Sequence, residues 1–395
     1  MSGVCDLPVA AEHFQVRPDI TFLNHGSFGA CPQPVFQVYQ QWQRALESDP
    51  VEFLGRRIRG MLGEAREVLA TYLGTQADQL VFVPNTTVGV NIVARSLPLG
   101  PGDEVLATDH EYGAADRTWR FLCTQRGMRY INQPIPLPLE SEEEMVEHLW
   151  RGVTPRTKVI FVSHITSPTA LIFPVAKICQ RAREAGILTV VDGAHAPGQI
   201  PLRLEEIGVD FYIGNCHKWL CAPKGAAFLY ARPERQEILQ PLIVSWGWES
   251  LKPGPSTFQD YFGWVGTDDP SAYLSVPSAI SFQNEHNWDA VRTACHELAA
   301  SARRQISEIM GTGLICPDSP GWWGQMCAIQ LPDGDVAALQ QCLREEWNIE
   351  IPVVNWNGHR FMRLSIQGYN GPADVERLLT ALQATFADGE QVQRS

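Results

Sequence analysis

Short apolar runs alternate with longer amphipathic stretches from about residue 80 to residue 230. The apolar runs are Leu80–Val83, Glu104–Ala107, Val159–Ser163, Ile187–Val191, Asp210–Ile213 and Ala226–Tyr230. Runs of this length, bounded by turn residues and separated by helical periods, are typical of strands in a parallel sheet with helices on both faces. The pattern therefore predicts an α/β fold with a mostly parallel central sheet.

Helical periodicity dominates the sequence on both sides of this core. Two amphipathic stretches, 35–48 and 56–73, precede the first strand, and a long helical pattern begins near Pro277. Proline is favoured in the first turn of a helix, which supports a helix start there. Between the last strand and this helix, residues 241–270 are rich in Gly, Pro and Trp and predict an irregular connection.

The end of the chain has a pattern of its own. Apolar runs at 326–331 and 360–366 are interspersed with helical segments, which predicts a small α+β domain. We therefore divide the chain into an N-terminal arm (1–22), a large α/β domain (23–270) and a small C-terminal α+β domain (271–395). A chain of 395 residues is long enough for this arrangement.

The composition is that of a soluble globular protein, with 45% hydrophobic and 19% charged residues. The net charge of −13 argues against binding to nucleic acid or to an anionic membrane, because both attract basic surfaces. The first residues lack the features of a signal peptide, and no apolar stretch approaches the roughly 18 residues that span a bilayer. The 10 cysteines lack regular spacing and predict reduced thiols, so we expect a cytoplasmic protein.

Two lysines follow a core strand at its carboxyl end, where open α/β sheets bind their ligands. Lysine is scarce in this chain, and of its few lysines only Lys218 and Lys224 have this position. Lys218 stands between His217 and Trp219, and desolvation there would favour a neutral, nucleophilic amine. The alternative is a surface lysine that happens to lie beside a histidine.

A carboxylate follows another strand in the same way. Asp192 comes directly after the run Ile187–Val191, and His195 follows three residues later. Asp192 either forms a tight Asp-Gly turn or directs its carboxylate into the crevice. An enzyme that uses pyridoxal phosphate needs such a carboxylate, because it keeps the pyridine nitrogen protonated so that the ring can accept electrons.

Two further groups suit anionic ligands. Asn85, Thr86 and Thr87 open the helix after the first strand, where they either bind an anion or cap the helix. Arg363 lies on the opposite strand face from Met362 and could hold a substrate carboxylate or form an exposed ion pair.

Other cofactor sites receive little support. Neither a dinucleotide-binding G-x-G-x-x-G after a strand nor a P-loop is present in the sequence. Cys216, His217 and Cys221 superficially suggest a metal site, but a second pair at zinc spacing is missing. We therefore expect no metal.

The order and spacing of these groups resemble the class V aminotransferase group of fold-type I pyridoxal phosphate enzymes, over nearly the whole chain. Within this group, the sequence motifs most closely resemble those of the isopenicillin N epimerase-like branch. That branch is also similar to the sulfoxide lyases of ergothioneine synthesis. The stretches that carry the resemblance are Leu23–Gly29, Asp109–Tyr112, Ser163–Thr169, Gly214–Lys224, Gly266–Pro270, Arg363–Ser365 and Tyr369–Asn370.

The resemblance implies a pyridoxal 5′-phosphate site with specific roles. Lys218 would bond covalently to the cofactor and move the Cα proton, Asp192 would pair with the pyridine nitrogen, and His195 would contact the phenolic oxygen. Either Tyr112, which we favour, or His110 would stack on the ring.

The remaining implied roles concern the phosphate, the substrate and the partner subunit. The phosphate ligands would be Thr86, Thr87, His217 and, from the partner subunit of a homodimer, Thr267. Arg363 and Asn24 would hold the substrate carboxylate.

Two features depart from the group. Ala170 stands where relatives commonly have glycine, which puts backbone contacts there in doubt. The stretch before Arg363 lacks the nucleophilic cysteine of the cysteine desulfurases, which argues against persulfide formation.

The sequence leaves the reaction type open. The first hypothesis is a pyridoxal phosphate enzyme that ionises the Cα–H bond of an amino acid, with epimerisation or β-elimination at a C–S bond as outcomes. A simple aminotransferase ranks third. A catalytically inactive binding protein is the alternative from another class, because a fold alone does not establish activity.

Overall fold

The computed structural model describes residues 11–392, and a seven-stranded sheet forms its centre. The strands of this range are β1 (Thr21–Phe22), β2 (Leu80–Val83), β3 (Glu104–Thr108), β4 (Arg129–Gln133), β5 (Thr157–Ser163), β6 (Leu188–Asp192), β7 (Phe211–Asn215), β8 (Ala227–Ala231), β9 (Met326–Leu331), β10 (Ile349–Glu350), β11 (Val353–Trp356) and β12 (His359–Ser365). The central sheet has the order β2-β8-β7-β6-β5-β3-β4. Only β8 runs antiparallel to its neighbours within this sheet, which confirms the predicted fold class.

The helices of the described range cover both faces of the sheet and build the small domain. They are α1 (His25–Phe28), α2 (Gln33–Ser48), α3 (Pro50–Glu52), α4 (Ile58–Leu73), α5 (Thr86–Ser96), α6 (Gly113–Arg126), α7 (Glu142–Trp150), α8 (Val175–Glu184), α9 (Leu204–Ile207), α10 (Thr257–Gly263), α11 (Ser271–Leu274), α12 (Val276–Glu285), α13 (Trp288–Met310), α14 (Val336–Glu345) and α15 (Pro372–Val392).

Side chains alternate between two hydrophobic cores across the central sheet. In β5, Val159 and Phe161 face one core, and Ile160 and Val162 face the other. Strand β5 is therefore buried on both faces, as parallel strands usually are. The second core holds α5 and α6, whereas the first continues into the small domain.

The small domain is a three-stranded antiparallel sheet, β11-β12-β9, with α13 packed against β9. Two short contacts tie the beginning of the chain to this domain. Strand β1 pairs with β10, and Asn24 forms a β-bridge with Ser365. The part of the predicted N-terminal arm before residue 11 lies outside the described residues. Across residues 11–392, no helix combines the length and apolar character needed to cross a membrane.

Candidate active site

A cavity of about 340 Å3 opens at the carboxyl ends of β5, β6 and β7. Its wall includes the terminal residues of these strands, Ser163, Asp192 and Asn215, together with Lys218 and Tyr112. Parallel strands end at the same edge of the sheet, so residues far apart in sequence converge here. The structure thus brings the two strongest sequence candidates, Lys218 and Asp192, into one cavity.

Lys218 has the surroundings of a nucleophilic amine. Its Nζ lies 3.3 Å from Nε2 of His195, whose Nδ1 accepts a hydrogen bond from the indole N–H of Trp219. The ring proton of His195 therefore lies on Nε2. The neutral amine of Lys218 accepts a hydrogen bond from this N–H. Burial, with a contribution from Arg363, lowers the pKa of Lys218 to about 7, although Asp192 opposes the shift. Lys224 instead donates to the carbonyl of Gly29 and does not line the cavity.

Asp192 serves both roles that the sequence left open. Its carboxylate accepts the N–H of Ala194 at 2.9 Å, as in an Asp-Gly turn, and also lines the cavity. A Cβ on Gly193 would lie 2.1 Å from the Tyr212 ring, so glycine is required at this close approach. Burial raises the pKa of Asp192, and Lys218 partly offsets that rise. A cationic ring nitrogen in the cavity would favour the ionised carboxylate.

The start of α5 has unused hydrogen-bonding capacity. Asn85 caps the helix through Val88 N, so the capping interpretation holds for this residue. The Thr86 N–H donates to Asn215 Oδ1 at 3.0 Å, but Thr86 Oγ1 is buried and finds no partner within residues 11–392. Thr87 lines the cavity beside it. A buried hydroxyl at a helix N-terminus is suited to an anionic ligand such as a phosphate.

His217 faces the same end of the cavity. Its Nδ1 donates to the carbonyl of Ala226 at 2.9 Å, which leaves Nε2 for a ligand. Burial, with Lys218, lowers the pKa of His217 to about 4, so the ring is neutral without an anion. A bound phosphate would raise this pKa and make Nε2 a donor.

Arg363 is buried on β12 and does not itself line the cavity, but it contacts two residues that do, Ser27 and Ser167. Its guanidinium donates to the carbonyl and hydroxyl of Ser167 and to the hydroxyl of Ser27. Its partners in the described part of the chain are these serine groups and not a carboxylate, and its Nε is buried without a partner there. The exposed ion pair considered from sequence is therefore wrong, and the arginine keeps donors for a substrate carboxylate. Asn24 reaches this group indirectly, because its Oδ1 accepts the Ser27 hydroxyl at 2.5 Å.

The structure separates the two candidates for the stacking residue. Tyr112 is half exposed and lines the cavity. His110 is fully buried behind it, bonded to Thr169 and to the carbonyl of Ile135, and does not line the cavity. Thr267 is exposed on a loop and is likewise absent from the cavity wall of its own chain.

Several residues of the site were missed from sequence. Glu111 is buried and accepts the hydroxyls of Thr108 and Ser163, each at 2.6 Å, and burial raises its pKa to about 8. Ser163 itself lines the cavity, as does Asn215. Their positions at strand ends could have indicated both residues, whereas nothing in the sequence pattern indicates the burial of Glu111.

Ala170 retains the backbone conformation that glycine favours. Its φ is +56°, and its N–H still donates to the carbonyl of Thr166 at 3.0 Å. The departure from glycine therefore preserves this backbone contact but holds the residue in a strained region, which costs about 1 kcal/mol.

These groups fit pyridoxal 5′-phosphate. A primary amine of lowered pKa suits the aldehyde, a buried carboxylate suits the pyridine nitrogen, and an unpartnered hydroxyl at a helix N-terminus suits the phosphate. Within residues 11–392, no group of three or more His, Cys, Asp or Glu side chains is arranged to hold a metal ion.

Comparison with known proteins gives a consistent result along almost the entire chain. The profile of the family described as Aminotransferase class-V matches residues 29–378. Isopenicillin N epimerase of Amycolatopsis lactamdurans is 38% identical over 95% of this chain and 97% of its own length. The corresponding epimerase of Streptomyces clavuligerus is 36% identical, with 97% and 99% covered. Hercynylcysteine sulfoxide lyase of Schizosaccharomyces pombe is 24% identical, with 90% and 91% covered.

A solved structure of the cystine C–S lyase C-DES, in complex with its reaction product cysteine persulfide, has the same fold. The TM-score is 0.79 at 20% identity, and the match covers 93% of this chain and 98% of that one.

Proposed function

The chain belongs to the class V aminotransferase family, and from that premise we propose that it inverts the Cα configuration of an amino-acid substrate of the isopenicillin N type. Membership confirms the predicted family and the predicted cofactor, pyridoxal 5′-phosphate, and identifies the chain as an enzyme. The cofactor supplies an electron sink for the carbanion that forms when Cα loses its proton.

The observation that carries the proposal is the cavity with two different proton-transfer groups. Lys218 offers an amine with a pKa of about 7, which can accept and return a proton near neutral pH. Tyr112 lines the same cavity, and its phenolic hydroxyl would serve as the second proton carrier. Inversion needs one group to remove the proton and a different group to return it on the other face. The match to two epimerases along nearly their full length supports this outcome.

The other residues of the site would bind and orient the substrate and the cofactor. We propose that Arg363, with Asn24 and Ser27 behind it, holds the substrate carboxylate. Thr86, Thr87 and His217 would hold the cofactor phosphate. Asp192 would pair with the pyridine nitrogen of the cofactor, and His195 would contact its phenolic oxygen.

A second candidate function is β-elimination at a C–S bond of a cysteine-derived substrate such as a sulfoxide. The similarity to hercynylcysteine sulfoxide lyase favours it over transamination. The same two groups would serve, because Lys218 would ionise Cα and Tyr112 could protonate the leaving sulfur.

We further propose that the enzyme works in the cytoplasm as a homodimer, with Thr267 completing the phosphate site of its partner. Residues 23–270 would form the cofactor-binding domain, and 271–395 the domain that carries the substrate-binding Arg363.

Incubation of the holoenzyme with isopenicillin N, L-amino acids and cysteine conjugates in heavy water tests the reaction type. Deuterium at Cα with inverted configuration is the result that we expect for the isopenicillin N-type substrate. Pyruvate release with little inversion would establish the lyase instead. Full activity in the Lys218→Ala enzyme would contradict both functions.

A further inference from the structure

The segment Asn24–Gly29 passes between the Lys218 loop and the small domain with no spare room. A Cβ on Gly29, which has a φ of +73°, would lie 2.1 Å from the carbonyl oxygen of His217 and 2.9 Å from Cα of Lys218. A Cβ on Gly26 would lie 2.6 Å from Sδ of Met326, on β9. The main chain of this segment is therefore in direct contact with the main chain of Lys218 and with the small domain.

His25 lies in this segment and is fully buried behind Lys218. Its Nε2 is 3.1 Å from the carbonyl oxygen of Lys218, and its Nδ1 is 3.0 Å from the hydroxyl of Tyr369. Its ring also packs against Trp219, at 4.9 Å between centroids. One imidazole thus joins the beginning of the chain, the lysine loop and the small domain.

The hydrogen-bond partners determine the tautomer of His25. The carbonyl of Lys218 can only accept, and the hydroxyl of Tyr369 has no other partner in the described part of the chain. Both are satisfied if Nε2 carries the proton and Nδ1 accepts from the tyrosine. Burial lowers the pKa of His25 to about 3, so the ring stays neutral near neutral pH.

One neighbour favours the opposite tautomer; the thiol of Cys221, 4.0 Å from Nε2, instead donates to the carbonyl of Trp219. The side-chain amide nitrogen of Gln367 lies 3.3 Å from Nε2, and its oxygen is already held by the N–H of Gly368. With the proton on Nδ1, however, the Nε2 lone pair would face the Lys218 carbonyl, and the tyrosine hydroxyl would lack an acceptor. Two unfavourable buried contacts outweigh one long amide contact.

We infer that His25 is a positioning residue, which fixes the main chain of Lys218 relative to the small domain that carries Arg363. The same segment reaches Arg363 through Ser27, so it sets the spacing between the proton-transfer amine and the carboxylate-binding arginine. A displacement of about 1 Å between such groups can cost about 10²-fold in rate. This inference rests on the proposed function of Lys218 and Arg363.

The first test measures the unsubstituted protein and uses a variant only to assign the signals. Nitrogen-15 NMR of the histidine rings in the unsubstituted protein, assigned with a His25→Gln variant, reports which nitrogen of His25 carries the proton. We expect the proton on Nε2 and no titration between about pH 6 and pH 8. A proton on Nδ1 would overturn the inference.

The second test separates the two hydrogen bonds of the ring. The amide of His25→Gln reaches the position of Nε2 and can keep the bond to Lys218, whereas the amide of His25→Asn reaches only the position of Nδ1. We expect His25→Asn to lower kcat by about 10²-fold with little change in KM, and His25→Gln to recover about tenfold of that loss. Equal activity of the two variants would contradict a role through the Lys218 carbonyl.

Tyr369→Phe removes only the hydroxyl that fixes the tautomer, and Tyr230→Phe is its matched control. Tyr230 is also buried, but it lies toward the opposite end of the sheet from the cavity. In each apoprotein, the rate at which pyridoxal phosphate and borohydride modify Lys218 measures the reactivity of its amine. This measurement does not depend on catalytic turnover. We expect Tyr369→Phe to slow this modification severalfold and Tyr230→Phe to leave it unchanged, and equal rates would overturn the inference. Because neither this rate nor the tautomer depends on the reaction type, they remain decisive if no Cα exchange is found.

Discussion

The amine of Lys218 is the residue on which the chemistry depends, and Lys224 is its natural control. Both follow β7, but only Lys218 reaches the cavity. We expect Lys218→Ala to lose the cofactor absorbance that borohydride bleaches and to lower turnover by about 10²–10⁴-fold, whereas Lys224→Ala retains both. Peptide mapping after reduction checks the assignment, because a pyridoxyl group on Lys224 would contradict it.

The pH dependence of the same amine follows from its lowered pKa. Lys218 reacts as the neutral amine, and its pKa is about 7 because burial disfavours the charged form. In the apoprotein, modification by pyridoxal phosphate should therefore rise about tenfold per pH unit below that pKa and level off above it. A rise that continued to about pH 10 would indicate an amine with an ordinary pKa.

Tyr112 distinguishes a proton carrier from a stacking platform. Tyr112→Phe keeps the ring and removes the hydroxyl. If the hydroxyl returns the proton, Cα–H exchange in heavy water should persist, because Lys218 is intact, while product formation falls by about 10²–10⁴-fold. Wild-type rates for both would assign the ring to stacking alone.

At the scale of the element, the strands with continuous apolar runs were predictable, and the polar edge strand β4 was not. All six predicted strands of the central sheet are present, because burial on both faces requires an unbroken apolar run. Strand β4 was missed because this edge strand lacks an apolar run: its sequence Arg129–Gln133 is largely polar and partly exposed, whereas the other edge strand, β2, is buried along its length. The helix predicted from Pro277 is interrupted near Asn287, which has a left-handed φ of +47° and separates α12 from α13.

Site residues that directly follow a strand were predictable from sequence. Site residues whose position depends on tertiary packing were not. Lys218 and Asp192 were found from strand ends, whereas the burial of His110 and Glu111 behind Tyr112 depends on long-range contacts. Pairing between distant segments leaves no periodic signal in the sequence, so neither could be derived from it.

The β11–β12 turn makes a contact that can be tested at the same scale. Asn357 and Gly358 have φ values of +49° and +81°, as in a two-residue hairpin turn, and the Asn357 amide donates to Asp109 Oδ2 at 2.6 Å. Asn357→Gly removes this bond without backbone strain and should cost about 1 kcal/mol. Asn348→Gly is the matched control, because Asn348 has a φ of +53° and is exposed. Thermal melting should show a larger loss for Asn357→Gly, and equal losses would contradict an anchoring role.

The whole molecule presents an apolar surface beside Thr267. Leu242, Ile243, Val244 and Trp246 are exposed in the described chain, and Leu251 is fully exposed. A second cavity of about 340 Å3 lies beside these residues, and its largely apolar wall includes Leu242, Ile243 and Gly266. Pro84 lines both this cavity and the active-site cavity, next to the start of α5. A contiguous exposed apolar patch of this kind marks a contact surface, and a symmetric dimer is the commonest way to cover one.

A shared active site follows if that surface covers its counterpart on a second copy. Thr267 does not line the cavity of its own chain, but its neighbour Gly266 and the exposed Leu242 and Ile243 share one cavity wall, so Thr267 would lie at such an interface. A mixture of Lys218→Ala and Thr267→Ala subunits would then form heterodimers in which one of the two sites is fully native. With random pairing, about a quarter of all sites regain function, so activity at a cofactor concentration that just saturates the wild type should rise toward about a quarter of wild type. If mass measurement confirms heterodimers and activity stays at the level of the two separate variants, Thr267 does not complete the partner's site and the shared active site is contradicted.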